Sequence, residues 1–195
     1  MNESHRIILQ PTQRDHMIAA LAALAIAIHV IESSFPAVIP GVKPGLANII
    51  TLLTFFLFGF RIALQVSLLR VIISSLILGS FLSPTFYLSL SGALASLVAL
   101  GLFHALINGI KQLFRIQSQY IGPIGYSIVA AIAHMLGQFY TAWYLYIPHE
   151  QLFKLLPILI TISAVLGLSS GILTQYFLLT PKLQRIKQLK CHIHP

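Results

Sequence analysis

Residues 62–81 read IALQVSLLRVIISSLILGSF, and Arg70 is the one charged residue in this apolar stretch. A run of about 20 apolar residues is the length that a helix needs to cross the hydrocarbon core of a bilayer. Further apolar runs, bounded by polar or Pro/Gly-rich segments, lie at residues 17–35, 46–58, 85–106, 124–147 and 155–179. The sequence therefore predicts an all-α, polytopic membrane protein with about six transmembrane helices in one bundle.

The composition excludes several classes of protein. Charged residues make up 8% of the chain and hydrophobic residues 57%, whereas a soluble domain contains about 25% charged residues. Too little polar surface remains to cover a water-soluble globule. A cytosolic enzyme, a disordered chain and a nucleic-acid-binding domain are therefore excluded, despite the net charge of +8. The lipid bilayer is the partner that this composition predicts, and no cofactor is expected.

The distribution of Lys and Arg predicts the orientation, because the cytoplasmic loops of membrane proteins are enriched in these residues. With six spans, nine of them lie on the side of both termini and two on the other side. We therefore expect a cytoplasmic N-terminal segment at 1–16, a transmembrane domain at 17–180 and a basic cytoplasmic tail at 181–195, in the inner, cytoplasmic membrane. The nine are Arg6, Arg14, Arg61, Lys111, Arg115, Lys182, Arg185, Lys187 and Lys190, and the two are Lys43 and Lys154.

Arg70 is the residue least expected inside a membrane span. A charge at the centre of a transmembrane helix costs about 3 kcal/mol on insertion scales, so Arg70 should face the bundle interior or water. One interpretation is a ligand for an anion or a polar substrate. The other is a structural pair with a carboxylate or with carbonyls at a helix end. Glu32 is the only acidic residue near a span.

Two further polar residues lie one helical turn apart in the fifth run, His134 and Gln138. Neutral His and Gln side chains offer hydrogen-bond donors and acceptors without a full charge, which suits an uncharged or zwitterionic substrate. Hydrogen bonds between helices are the alternative use of such residues in membranes. We include both residues among the candidates for substrate binding.

Three more candidates surround the first Pro/Gly-rich connection. Glu32 ends the first run, three residues after His29, and could take part in proton-linked binding or form a hydrated interfacial pair with that histidine. Lys43 lies in the connection itself. Asn48 starts the second run, where its amide could contact a ligand or satisfy backbone groups at the start of a broken helix.

Small residues recur at four-residue spacing on two runs. Ala19, Ala23 and Ala27 form a stripe on the first run, and Gly167 and Gly171 form a GxxxG pattern on the last. Both patterns permit close approach between helices. They predict internal packing or, for the alanine stripe in particular, a docking face for a second membrane protein.

Familiar catalytic patterns are missing from the sequence. The chain contains no P-loop motif, and Asp15 is its only aspartate, so an aspartate-rich magnesium site for diphosphates cannot be assembled. The tail segment 191–194 (CHIH) has too few ligands and no companion cluster to predict a metal site. We therefore predict no catalytic residues and no metal site.

Several segments of the sequence form a recognisable series: 32–36 (ESSFP), 41–48 (GVKPGLAN), Arg70, 83–86 (SPTF), 89–93 (SLSGA), His134 and Gln138. Together they resemble a bacterial membrane family known under two names, heptaprenyl diphosphate synthase component I and Gx transporter. The match in 32–48 is specific, apart from Pro44, and the later matches follow in the right order. The resemblance extends over about residues 17–180.

The two family names imply different functions. The transporter name implies similarity to the substrate-binding subunits of energy-coupling-factor transporters, whose first helix meets a membrane coupling subunit with its ATPases. In that case 36–45 would cover an outward-facing pocket lined by Arg70, His134 and Gln138, and the chain would take up a vitamin, a cofactor or an isoprenoid-related molecule. An ion gradient is the alternative energy source. The synthase name implies a non-catalytic accessory role in polyprenyl diphosphate synthesis. The intramembrane polar residues favour transport.

Overall fold

The structure is a computed structural model that describes residues 13–34, 46–114 and 122–180. Within these ranges the chain is helical and contains no strand, which confirms the all-α prediction. The helices are α1 (Gln13–Ser34), α2 (Leu46–Phe58), α3 (Phe60–Ile77), α4 (Pro84–Phe114), α5 (Pro123–Leu145) and α6 (Leu156–Leu179), the last preceded by a 3₁₀ turn, Glu150–Leu155.

Three segments of the described chain are long and apolar enough to cross a membrane: Phe60–Ile77, Pro84–Phe114 and Glu150–Leu179. Two shorter apolar segments lie in α1 and α2, at Ile18–Ser33 and Asn48–Phe58. The chain is therefore a membrane protein. Six spans and cytoplasmic termini stay predictions.

The bundle has an apolar outside and a partly polar inside. Large apolar side chains on α3 to α6 point outwards, as Leu102, Leu113 and Ile158 do, which is the arrangement expected where lipid tails surround the helices. Buried polar residues come from all six helices of the described chain. They are Glu32, Thr51, Thr54, Ser67, Arg70, Ser74, Ser75, Ser96, Ser127, Ser163, Ser170 and Thr174.

The helices do not all end where the apolar runs end. The fourth run ends at Leu106, but α4 continues to Phe114. Residues 107–114 contain no proline, and Gly109 alone does not end a helix. The third run was expected to reach Phe81, but α3 ends at Ile77 because the chain turns at Gly79, where φ is +65°.

Helix α2 lies in the middle of the bundle, packed against α1, α3, α5 and α6. Its 13 residues span about 20 Å, too short to cross the hydrocarbon core. Only Gly59, with φ of +92°, separates α2 from α3. Val66 of α3 packs with Ile49 and Leu53 of α2, so the two helices form an antiparallel hairpin. The short second run is therefore largely buried within the protein.

Glycines bring α4, α5 and α6 into close contact. A Cβ atom on Gly137 of α5 would lie 2.7 Å from the carbonyl oxygen of Ser91 on α4. One on Gly171 of α6 would lie 2.7 Å from the Cα of Ile124 on α5, and one on Gly167 would lie 2.8 Å from a neighbouring alanine Cβ. The GxxxG pattern of α6 is therefore used for internal packing.

Candidate functional site

An apolar cluster closes the bundle interior near the α2–α3 turn. Helices α2, α3, α4 and α5 all contribute to it, so it forms a floor across the bundle. The floor consists of the buried residues Leu52, Phe55, Ala63, Leu100, Tyr126 and Ala130.

A polar layer lies above this floor. Neighbouring helices are antiparallel, since Ala63 of α3 packs with Leu100 of α4 and Val71 packs with Ala93. Moving four residues from the floor along α2, α4 and α5, or seven along α3, leads about 6 to 10 Å away from the turn and so reaches a zone only about 5 Å deep. The residues met there are polar on all four helices: Asn48 on α2, Arg70 on α3, Ser96 on α4 and His134 on α5.

Arg70 is the charged centre of this layer. Its side chain is 4% exposed, and its Nε atom is buried without a hydrogen-bond partner in the described part of the chain. Helix α1 packs against α3, and the carboxylate of Glu32, itself 8% exposed, interacts electrostatically with the guanidinium. Glu32 is therefore a buried carboxylate and not a hydrated one. Its pairing with His29 stays a prediction.

His134 and Gln138 face α4 at Gly92, where a Cβ atom would require both side chains to move. A Cβ atom on Gly92 would lie 2.8 Å from Nε2 of His134 and 2.9 Å from Cγ of Gln138. The neighbouring Ser91 donates a hydrogen bond of 3.2 Å to the carbonyl oxygen of Gly137. Segment 89–93 and the His134/Gln138 pair, which lie far apart in the sequence, therefore meet at the α4–α5 contact.

Three buried hydroxyl groups of the interior were not singled out from the sequence: those of Thr51, Ser96 and Ser127. Each lacks a hydrogen-bond partner in the described residues. Most helical Ser and Thr residues here instead bond to the preceding turn, as Thr54 does with the carbonyl oxygen of Ile50 at 2.7 Å. Single hydroxyl residues are common in transmembrane helices, so the sequence carries no signal that distinguishes these three.

The remaining candidates lie elsewhere. Lys43 falls outside the described residues. Ala19, Ala23 and Ala27 are exposed on the outer face of α1, whereas Ala25 packs in the core. The stripe is thus available on the surface, away from the polar layer.

A second series of polar contacts starts at Tyr126 in the floor and runs away from the polar layer. The hydroxyl of Tyr126 lies 3.1 Å from Nδ1 of His104, and Nε2 of His104 lies 3.1 Å from the amide nitrogen of Asn108. The rings of Phe55 and Phe103 contact the Tyr126 ring. Aromatic side chains thus pack around Tyr126 at the floor.

The polar layer combines hydrogen-bonding groups of several chemical types. It offers one guanidinium, one carboxylate, an amide, an imidazole and hydroxyls, all of which can hydrogen-bond to a polar molecule. In the described ranges, no group of three or more His, Cys, Asp or Glu side chains could hold a metal ion.

Comparison with known proteins supports one assignment. The family described as heptaprenyl diphosphate synthase component I matches residues 21–177. No curated protein and no solved structure matches the chain. The matched stretch includes the floor, the polar layer and both sides of the Gly92 contact. Because it spans most of the sequence, the chain belongs to the heptaprenyl diphosphate synthase component I family.

Proposed function

We propose that this protein binds a small molecule inside its helical bundle and takes part in the uptake of that molecule across the cytoplasmic membrane. The carrying observation is the polar layer around Arg70, inside a bundle whose outer surface is apolar. A buried guanidinium nitrogen without a hydrogen-bond partner is costly. A polar ligand in the layer would supply that partner, which would explain why the buried Arg70 nitrogen is left without one in the protein itself.

The side chains of the layer favour transport over chemistry on a diphosphate. Enzymes that act on prenyl diphosphates hold magnesium with carboxylates, the oxygen ligands that this ion prefers. Asp15, the only aspartate, is exposed in the first turn of α1, at the far end from Glu32. A binding protein needs no such set.

The proposed uptake route has two further parts. Segment 36–45, which includes Lys43, would cover the layer from the outside. The exposed stripe of Ala19, Ala23 and Ala27 would contact a membrane coupling subunit with its ATPases, as in energy-coupling-factor transporters. An ion gradient is the alternative if the chain acts alone.

An accessory role in heptaprenyl diphosphate synthesis is the second candidate. The family description favours it, since a first component implies a partner component. In this case the chain would hold a synthase subunit at the membrane without contributing catalytic residues. Removal of the chain from cells would then lower heptaprenyl diphosphate synthesis in cell extracts, whereas the transport proposal predicts unchanged synthesis.

The proposed function is tested by identifying what the protein carries. The protein is purified in mild detergent, denatured, and the released small molecules are identified by mass. Uptake of the identified compound is then compared in cells with and without the chain. We expect one polar compound at near one copy per chain, and uptake that depends on the chain. A purified protein free of small molecules, together with synthesis lost on removal, contradicts the proposal.

A further inference from the structure

The charges buried in the bundle interior balance. Among the buried side chains of the described residues, Glu32 and Arg70 are the ones that carry full charges, and they interact with each other. The remaining buried polar groups of these residues are hydroxyls. The buried side chains of the described residues therefore present no net charge to a ligand.

A ligand with a net charge would find no opposite charge left to compensate it beside Glu32 and Arg70. In a medium of low dielectric constant, a charge without a counter-charge is strongly disfavoured. A diphosphate, which carries several negative charges, would face one guanidinium already engaged by a carboxylate. The diphosphate would compete with the Glu32 carboxylate for Arg70, and the two negatively charged groups would repel each other.

The hydrogen-bonding groups of the layer suit a different ligand. Arg70 Nε is a donor, and the hydroxyls of Thr51 and Ser96 can donate or accept. These groups satisfy carbonyl, ring-nitrogen or carboxylate acceptors in a molecule whose own charges cancel.

Resting on the proposed function, we propose that the ligand of this bundle has no net charge, being either neutral or zwitterionic, and presents a hydrogen-bond acceptor to Arg70. Glu32 sets this preference because its carboxylate cancels the guanidinium charge. Prenyl diphosphates are consequently excluded as ligands of this layer. The ligand of this protein would therefore differ from heptaprenyl diphosphate, the product in the family's name.

The test uses the full chain in lipid nanodiscs, with inorganic diphosphate and farnesyl diphosphate as anionic probes. We expect neither probe to displace the co-purified molecule or to raise the melting temperature, and we expect that molecule to have no net charge at pH 7. Glu32→Gln leaves one uncompensated positive charge. It should lose the co-purified molecule and gain stabilisation by inorganic diphosphate, whereas Glu32→Asp should behave as the parent does.

The outcomes distinguish the inference from the proposed function. A co-purified molecule with net negative charge, or its displacement by either diphosphate from the parent, overturns the inference and leaves small-molecule binding intact. A parent that carries no small molecule and responds to neither probe contradicts the proposed function, and the inference with it. The measurements on the parent decide both questions even if Glu32→Gln does not fold.

Discussion

Glu32 on α1 and Arg70 on α3 are both buried, and they interact electrostatically across the contact between the two helices. This pair places opposite charges inside a bundle whose outer surface is apolar. It also joins α1, which carries the exposed alanine stripe, to the helix at the centre of the polar layer. Binding in the layer and contacts on the outer face of α1 can therefore influence each other through one helix.

Removing one partner of this pair should destabilise the protein. Glu32→Gln leaves Arg70 as a buried charge without its carboxylate, which typically costs about 3 kcal/mol or more. The double variant Glu32→Gln/Arg70→Gln should recover part of that loss, because no uncompensated charge remains. Reversible unfolding in mixed micelles is measured for the parent, Glu32→Gln, Arg70→Gln and the double variant, with Glu150→Gln, at an exposed position, as the control. Additive effects of the two single changes would show that the residues do not interact.

The glycines at the α4–α5 contact should differ in the effect of adding a methyl group. Gly92→Ala meets the side chains of His134 and Gln138, so it should displace them and reduce ligand binding while the helices stay in place. Gly137→Ala meets the backbone of Ser91 at 2.7 Å, so it should push the helices apart and lower stability by about 1 to 3 kcal/mol. Binding and melting temperature are measured for both variants.

Gly109 provides the matched control for these two changes. A Cβ atom there would meet nothing within 4 Å, and alanine favours a helix by about 0.5 to 1 kcal/mol over glycine. Gly109→Ala should therefore bind as the parent does and be at least as stable. Equal stability losses in all three variants would show that the close approach of α4 and α5 is unimportant.

Six spans with both termini in the cytoplasm remain to be tested. In a Cys191→Ser background, single cysteines replace Arg185 in the tail and Lys154 before α6. We expect an impermeant thiol reagent to label position 154 in intact cells and position 185 only after the membrane is broken, because Lys and Arg are concentrated on the cytoplasmic side. The reverse pattern would invert the orientation, and labelling of both positions in intact cells would show that α6, the helix between them, does not cross the membrane.

The exposed stripe on α1 should matter for a partner and not for the fold. Ala23→Leu adds bulk to a surface position, so it should reduce co-purification of a membrane partner and uptake in cells without lowering the melting temperature. Ala105→Leu makes the same change on the exposed face of α4 and serves as the control. Full uptake by the isolated protein in liposomes would show that no coupling partner is needed.

Much of the fold follows from the sequence, and less of the site does. Apolar length alone locates the helices, because only lipid or a protein core accepts such runs. The partner of Arg70 does not follow, because its meeting with Glu32 depends on how α1 packs against α3, which no local pattern encodes. Thr51 and Ser96 were missed because a hydroxyl in an apolar run reveals its role only when its neighbours are known. Segment 89–93 pointed to the α4–α5 contact through family resemblance and not through chemistry.

Arg70 is the residue on which the proposed ligand binding depends. The measurement is the amount of co-purified small molecule per chain in the parent, in Arg70→Lys, and in Arg61→Lys, an exposed position on the same helix. Arg70→Lys keeps the charge and loses the planar guanidinium with its Nε donor. We predict that it retains at most about a tenth of the bound molecule, the effect of losing about 1.4 kcal/mol, while Arg61→Lys matches the parent and all three proteins insert and fold. Equal amounts of the molecule in Arg70→Lys and in the parent would contradict a role for Arg70 in ligand recognition.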